Sequence, residues 1–89
     1  MKHFAFEFLT RPGCHLCDEA RPVVLAAVQG AHGVVHEVDI DTDDRLLKEY
    51  GMRIPVLLTP DGEVVAEGVI EARSLQKSLR RYEKRRTRG

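Results

Sequence analysis

Apolar and polar residues alternate from His3 to Thr10, with Phe4, Phe6 and Phe8 on one side, and this two-residue period predicts a strand. From Cys14 to about Gln29 the period lengthens to that of a helix, which should end at Gly30 with Gly33 just beyond. Val34 to Ile40 read as a second strand. Asp41 or Thr42 can cap a short helix that runs through Tyr50 and stops at Gly51. Pro55 to Thr59 and Glu63 to Glu67 flank Pro60-Asp61-Gly62, a strong hairpin signal. A last helix is predicted from about Glu71 into the basic C-terminus, with Val69, Leu75 and Leu79 as inward residues. No linker, internal repeat or low-complexity tract interrupts the series.

The order strand-helix-strand-helix-hairpin-helix implies an α/β fold, a four-stranded mixed sheet with helices on both faces. The first two strands are joined by a helix and must be parallel, and the hairpin adds two antiparallel strands. The 89 residues fit one domain, with a basic tail over about 80–89. At this length roughly 60–65% of the unfolded chain's surface can be buried, enough for a core without staples. Formal net charge is zero, so the molecule as a whole steers toward neither nucleic acid nor anionic membrane. No apolar run approaches a membrane span, and the N-terminal stretch broken by Glu7 is too short for a secretory signal.

The chemistry concentrates in Cys14-His15-Leu16-Cys17, which contains the only two cysteines. They follow a strand and a tight Arg11-Pro12-Gly13 bend, and they open a helix. Thiols at this spacing can close a small disulfide ring, and helix N-terminal N–H groups favour the thiolate of the first. Without an export signal such a pair belongs to a reducing compartment, where it is catalytic or metal-binding more often than structural. The cytoplasm is the expected location. The other histidines, His3, His32 and His36, have no ligand spacing, and Asp39, Asp41 and Asp43 fail as a calcium loop because Asp44 and Tyr50 replace the required glycine and glutamate. Those three aspartates read as cap and turn residues.

The stretch Thr10 to Ala20, read with Tyr50-Gly51-Met52-Arg53-Ile54-Pro55-Val56-Leu57-Leu58 and Asp61-Gly62-Glu63-Val64, resembles the thioredoxin superfamily. Within it the chain is most similar to the short glutaredoxin-like proteins, and the likeness spans nearly all of it. Pro22 resembles the proline that kinks the thioredoxin active-site helix. The resemblance implies a thioredoxin-like fold and a thiol–disulfide oxidoreductase, with Cys14 as nucleophile and Cys17 as resolving thiol. It implies a cis Ile54–Pro55 bond that sets the Ile54 backbone beside the thiols to meet an extended substrate. Arg11 stands where glutaredoxins carry a cation, suited to a thiolate or a glutathione carboxylate; the plainer reading is a solvated loop arginine. His15, where glutaredoxins usually have proline, would favour the thiolate as an imidazolium; otherwise it is an exposed helix-start residue. Glu7 is either a surface carboxylate or, as in thioredoxins, a buried proton relay to Cys17.

Glutaredoxins hold glutathione with paired glycines and an acidic residue at the next helix start. Here the segment reads Glu67-Gly68-Val69-Ile70-Glu71, with one glycine missing and an anionic Glu67 in place to repel carboxylates. Gly68 and Glu71 keep part of that surface. The expected enzyme therefore binds no cofactor tightly and takes glutathione as co-substrate or, alternatively, a reductase or other dithiol as reductant. Its substrate would be a disulfide-bearing protein or a small thiol, with no membrane or nucleic-acid partner, and it would act as a monomer. The reading from a different class is a metal-binding module, in which Cys14 and Cys17 hold zinc or share an iron–sulfur cluster with outside ligands. The cationic side chains of the last helix, Lys77, Arg80, Arg81, Lys84, Arg85, Arg86 and Arg88 against Glu83, read as a solvated, fraying end, with docking to an acidic partner or nonspecific attraction to nucleic acid as the alternatives.

Overall fold

The computed structural model describes residues 4–87; Lys2, His3 and Arg88 lie outside the described residues. Strand β1 covers Phe4–Thr10, helix α1 His15–Gly30 and strand β2 Gly33–Asp39. A single 3-10 turn at Ile40–Thr42 leads into helix α2, Asp44–Tyr50. Strands β3, Val56–Leu58, and β4, Val64–Glu67, form the hairpin, and helix α3 covers Ala72–Thr87. The sheet order is β2-β1-β3-β4, with β1 parallel to β2 and antiparallel to β3.

Strand periodicity sorts the core into two layers. Phe6, Phe8 and Leu57 face one side, where Ala20, Val24 and Val28 of α1 and Leu75, Leu79 and Tyr82 of α3 cover them. Leu9, Val56 and Leu58 face the other, under Ile40 and the partly buried Leu46, Tyr50 and Ile54. Helices therefore lie on both faces, as the element order requires. Phe4, Phe6 and Phe8 share a side as predicted, with Phe4 packed at its margin. Glu7 is exposed, which removes it as a buried proton relay.

Several local expectations are corrected. Cys14 caps α1 instead of forming its first turn. The cap of α2 is Asp43, whose carboxylate accepts from the Arg45 and Leu46 N–H groups, while Asp39 caps the 3-10 turn through the Asp41 N–H. Ile40 leaves the second strand and is fully buried. Val69 is not inward: it is 75% exposed, because Gly68 at φ +71° turns the chain so that Ile70 enters the core. The basic C-terminus does not fray within the described residues. Tyr82 is buried and donates to Asp61 at 2.8 Å, Arg85 pairs with Glu63, and Arg86 lies 3.7 Å over the Phe4 ring, so α3 is held through its last turns. Burial, and then the bond to Asp61, push the Tyr82 hydroxyl pKa up.

One polar network joins α1 to the sheet just below the cysteines. The Arg21 guanidinium donates to both Glu37 oxygens, at 2.8 and 2.7 Å, and to Asp18 at 2.9 Å. Glu37 also accepts the hydroxyl of buried Thr10 at 2.9 Å. Asp18 and Arg21 are one helical turn apart, but Glu37 lies 16 residues from Arg21 and 27 from Thr10, so no local pattern announces the links to the sheet.

Packing and charge each lead to a measurable outcome. A Cβ at Gly33 would sit 2.9 Å from both the Phe4 carbonyl oxygen and the Val28 side chain, so Gly33→Ala should destabilise by about 1–3 kcal/mol. Gly30 has open space, so Gly30→Ala should be neutral or stabilising by up to about 1 kcal/mol; urea midpoints of the two variants test the contrast. Hydrogen bonds from Arg21 hold the Glu37 carboxyl below the usual glutamate range. A lowered folded-state pKa means that its stabilisation is full above that range and is lost as pH falls toward the folded value. Glu37→Gln should thus weaken the fold at neutral pH and flatten the acid limb of stability against pH, as read by urea midpoints on descending pH.

Candidate active site

One end of the sheet collects every segment singled out for chemistry. Thr10 at the end of β1 pairs with Asp39 at the end of β2, Leu9 pairs with Val56 at the start of β3, and Val56 pairs with Glu67 at the end of β4. The Arg11–Cys14 loop, the Ile40 turn, Ile54–Pro55 and Gly68 therefore leave the sheet together.

The loop is built to present Cys14. Gly13 adopts φ +78°, a conformation that L side chains rarely take, and the Cys14 N–H returns to the Arg11 carbonyl at 3.3 Å. Cys14 then has extended backbone and caps α1 with its sulfur, which accepts the Cys17 N–H at 3.1 Å. Cys14 and Cys17 are joined as a disulfide, with their Cα atoms 5.2 Å apart. The two sulfurs are unequal: Cys17 is fully buried and Cys14 is partly open. Incoming reagents thus meet Cys14 first. Pro22 lies inside α1, beyond this first turn.

The remaining candidates surround this pair unevenly. The His15 side chain is 90% exposed and its Nε2 lies 3.3 Å from Glu19, one turn along. Arg11 points to Asp41 in the 3-10 turn, at 3.0 Å. Sequence reasoning read Asp41 as a turn residue and missed this pairing. The Ile54–Pro55 peptide bond is cis, and Pro55 is fully buried. The Ile54 N–H donates to the Tyr50 carbonyl at 3.1 Å, and the Pro55 carbonyl accepts the Gly68 N–H at 2.9 Å. Glu67 is not a free anion: Arg53 grips both of its oxygens at 3.0 and 3.1 Å, and lies 4.9 Å over the Tyr50 ring. That bidentate bond draws the Glu67 carboxyl below its usual range. Exposed apolar side chains stand at this end too, Leu16 on the first turn of α1 and Met52 and Val69 on the loops, a feature that the predicted inward Val69 concealed.

A metal would find two thiolates here and little else. Among the described residues, no three His, Cys, Asp or Glu side chains gather as a metal site requires. Nor is any described helix long and apolar enough to cross a membrane.

Comparison with known proteins agrees with this geometry. The family described as Glutaredoxin-like domain (DUF836) matches residues 6–82. The crystal structure of protein XcR50 from X. campestris is 34% identical, covering 85% of this chain and 96% of its own, with a TM-score of 0.73. A point mutant of thioredoxin from Halobacterium salinarum is 26% identical, covering 91% and 75%, with a TM-score of 0.69. Protein Ne2328 from Nitrosomonas europaea shares the fold at 19% identity, covering 86% and 92%, with a TM-score of 0.71. No curated protein matches in sequence. With a thioredoxin-like sheet, a Cys14–Cys17 disulfide at a helix start and a family match over most of its length, the chain belongs to the glutaredoxin-like proteins of the thioredoxin superfamily.

Proposed function

We propose that the protein is a dithiol–disulfide oxidoreductase in which Cys14 attacks and Cys17 resolves. The observation that carries this reading is the asymmetry at the α1 terminus, an accessible sulfur holding the helix cap beside a buried one. In the reduced protein the Cys17 N–H and the helix dipole favour the anionic form of Cys14, the form that reacts. The Cys14 thiolate attacks a substrate disulfide, forming a mixed disulfide and expelling one substrate thiolate. The Cys17 thiolate then attacks the Cys14 sulfur, closing the ring and releasing the second substrate thiolate. Two electrons pass from the protein to the substrate, and an external thiol or dithiol returns them.

Substrate would lie along the shared end of the sheet, against Ile54, Pro55 and Gly68, with Arg11 and His15 at its edge. Leu16, Met52 and Val69 give that edge an apolar surface suited to a protein disulfide. Glutathione is the alternative thiol, and its carboxylates would compete with Asp41 for Arg11 and with Glu67 for Arg53. We place the protein in the cytoplasm, where reducing thiols sustain turnover.

Trapping tests the reading. Cys17→Ser should accumulate a mixed disulfide on Cys14 with its partner, visible on non-reducing gels and lost on reduction. Cys14→Ser should form none and should lower disulfide reduction at least 100-fold. Equal activity of Cys14→Ser and the unmodified protein would end the assignment.

A further inference from the structure

The zero net charge conceals a segregation. Residues 72–89 hold eight of the fourteen cations and one acid, a net of plus seven, whereas residues 1–71 hold six cations and thirteen acids, a net of minus seven. The acids include Asp39, Asp41, Asp43, Asp44 and Glu49, carried by the 3-10 turn and α2 or their caps, whereas α3 packs on the opposite face of the sheet.

The helix then orders its cations. Leu75, Leu79 and Tyr82 bind α3 to the core, and Arg73, Lys77, Arg80, Arg81 and Lys84 fall within an arc of about 100° on the other side. All five are exposed, and from Arg73 to Lys84 the stripe extends about 16 Å along the axis. Lys77, Arg80, Arg81 and Lys84 line one shallow depression. Arg85 is paired with Glu63, whereas Arg73, Lys77, Arg80 and Arg81 have no ion-pair partner among the described residues.

We propose that this outer face of α3 docks on the phosphate backbone of double-stranded nucleic acid. The stripe carries no aromatic side chain on which an unpaired base could stack, since Tyr82 is buried. It carries no exposed large apolar residue to anchor in a protein pocket or a lipid surface, because the apolar side of the helix is spent on the core. Charge alone is offered, and a duplex presents on the order of ten phosphates along about 16 Å of its axis. The acidic side does not cancel this attraction. The molecule measures 20 Å across its thinnest direction, and physiological salt screens charges beyond about 8 Å.

Fluorescence anisotropy of a labelled DNA duplex two helical turns long tests the proposal with the full chain. Four neutralised phosphates predict a slope of about −3.6 in log affinity against log salt, roughly a 150-fold loss over a fourfold rise in salt. In the triple variant Lys77→Gln, Arg80→Gln, Arg81→Gln the slope should fall to about −0.9 and low-salt affinity at least tenfold, with far-UV circular dichroism unchanged. If that variant loses helix, Arg81→Gln alone serves, with a slope reduced by about 0.9. No duplex binding by the unmodified chain at low salt overturns the proposal. So does a charge-matched poly-glutamate that displaces the duplex as well as unlabelled duplex does, or tighter capture by anionic vesicles. Disulfide reduction by these variants should equal that of the unmodified chain, which separates this outcome from a failure of the oxidoreductase reading.

Discussion

The bond from the Cys17 N–H to the Cys14 sulfur organises the functional end of this molecule. Every helix begins with backbone donors that its own carbonyls cannot satisfy, and a Ser, Thr, Asp or Asn oxygen usually meets one of them. Here the cap is the Cys14 sulfur, the atom that the proposed function makes the nucleophile. A cap contributes about 1 kcal/mol, roughly a fivefold change in an equilibrium, and a charged acceptor contributes more than a neutral one. On the proposed function, the same interaction that starts α1 would favour the Cys14 thiolate once the disulfide is reduced, so that folding and reactivity would share one contact. Its geometry depends on Gly13, whose positive φ lets the chain turn from strand to helix within the bend.

Around that contact the rim is held by ion pairs between neighbouring loops. Arg11 ties the cysteine loop to the 3-10 turn, and Arg53 ties the segment before Pro55 to the end of β4. Exposed pairs contribute between about 0 and 1 kcal/mol each, so they explain little of the stability. Their effect is on the surface offered to substrate. Arg11 and Arg53 already face carboxylates of their own chain, whereas Leu16, Met52 and Val69 at this end of the sheet are exposed and apolar. On the proposed function, a small anionic thiol would have to displace a pair to find either cation, whereas a neutral protein segment would not.

Much of this was legible in the sequence, and the limits have physical causes. Strand alternation placed Phe6 and Phe8, and the cysteine spacing located the redox pair, because both signals are local. The caps shifted by a residue or two because four aspartates within Asp39–Asp44 compete for the role and only tertiary placement of Ile40 decides between them. Val69 lies outward, and Ile70 enters the core, because the turn at Gly68 breaks the periodicity on which an inward reading of Val69 relies. Glu37, Arg21 and Thr10 were invisible as a unit, since their bonds join residues far apart in the chain. Tyr82 was hidden differently. It sits in a run of cations that reads as a solvated end, yet its ring packs on Phe6 at 5.8 Å between centroids and its hydroxyl reaches the hairpin.

Helix α3 shows what burial leaves unexplained. Like charges one turn apart, such as Lys77 and Arg81 or Arg80 and Lys84, destabilise a helix by about 0.2–0.5 kcal/mol per pair. The dipole favours cations only in the last turn, which does not reach Arg73 or Lys77. The outer stripe therefore works against the helix that carries it, and the burial of Leu75, Leu79 and Tyr82 offsets that cost. Neutral polar residues at the same positions would leave the core unchanged and the helix more stable. The fold thus accounts for one face of α3 and not for the other, and the charge on that second face has its physical meaning in what lies outside the chain.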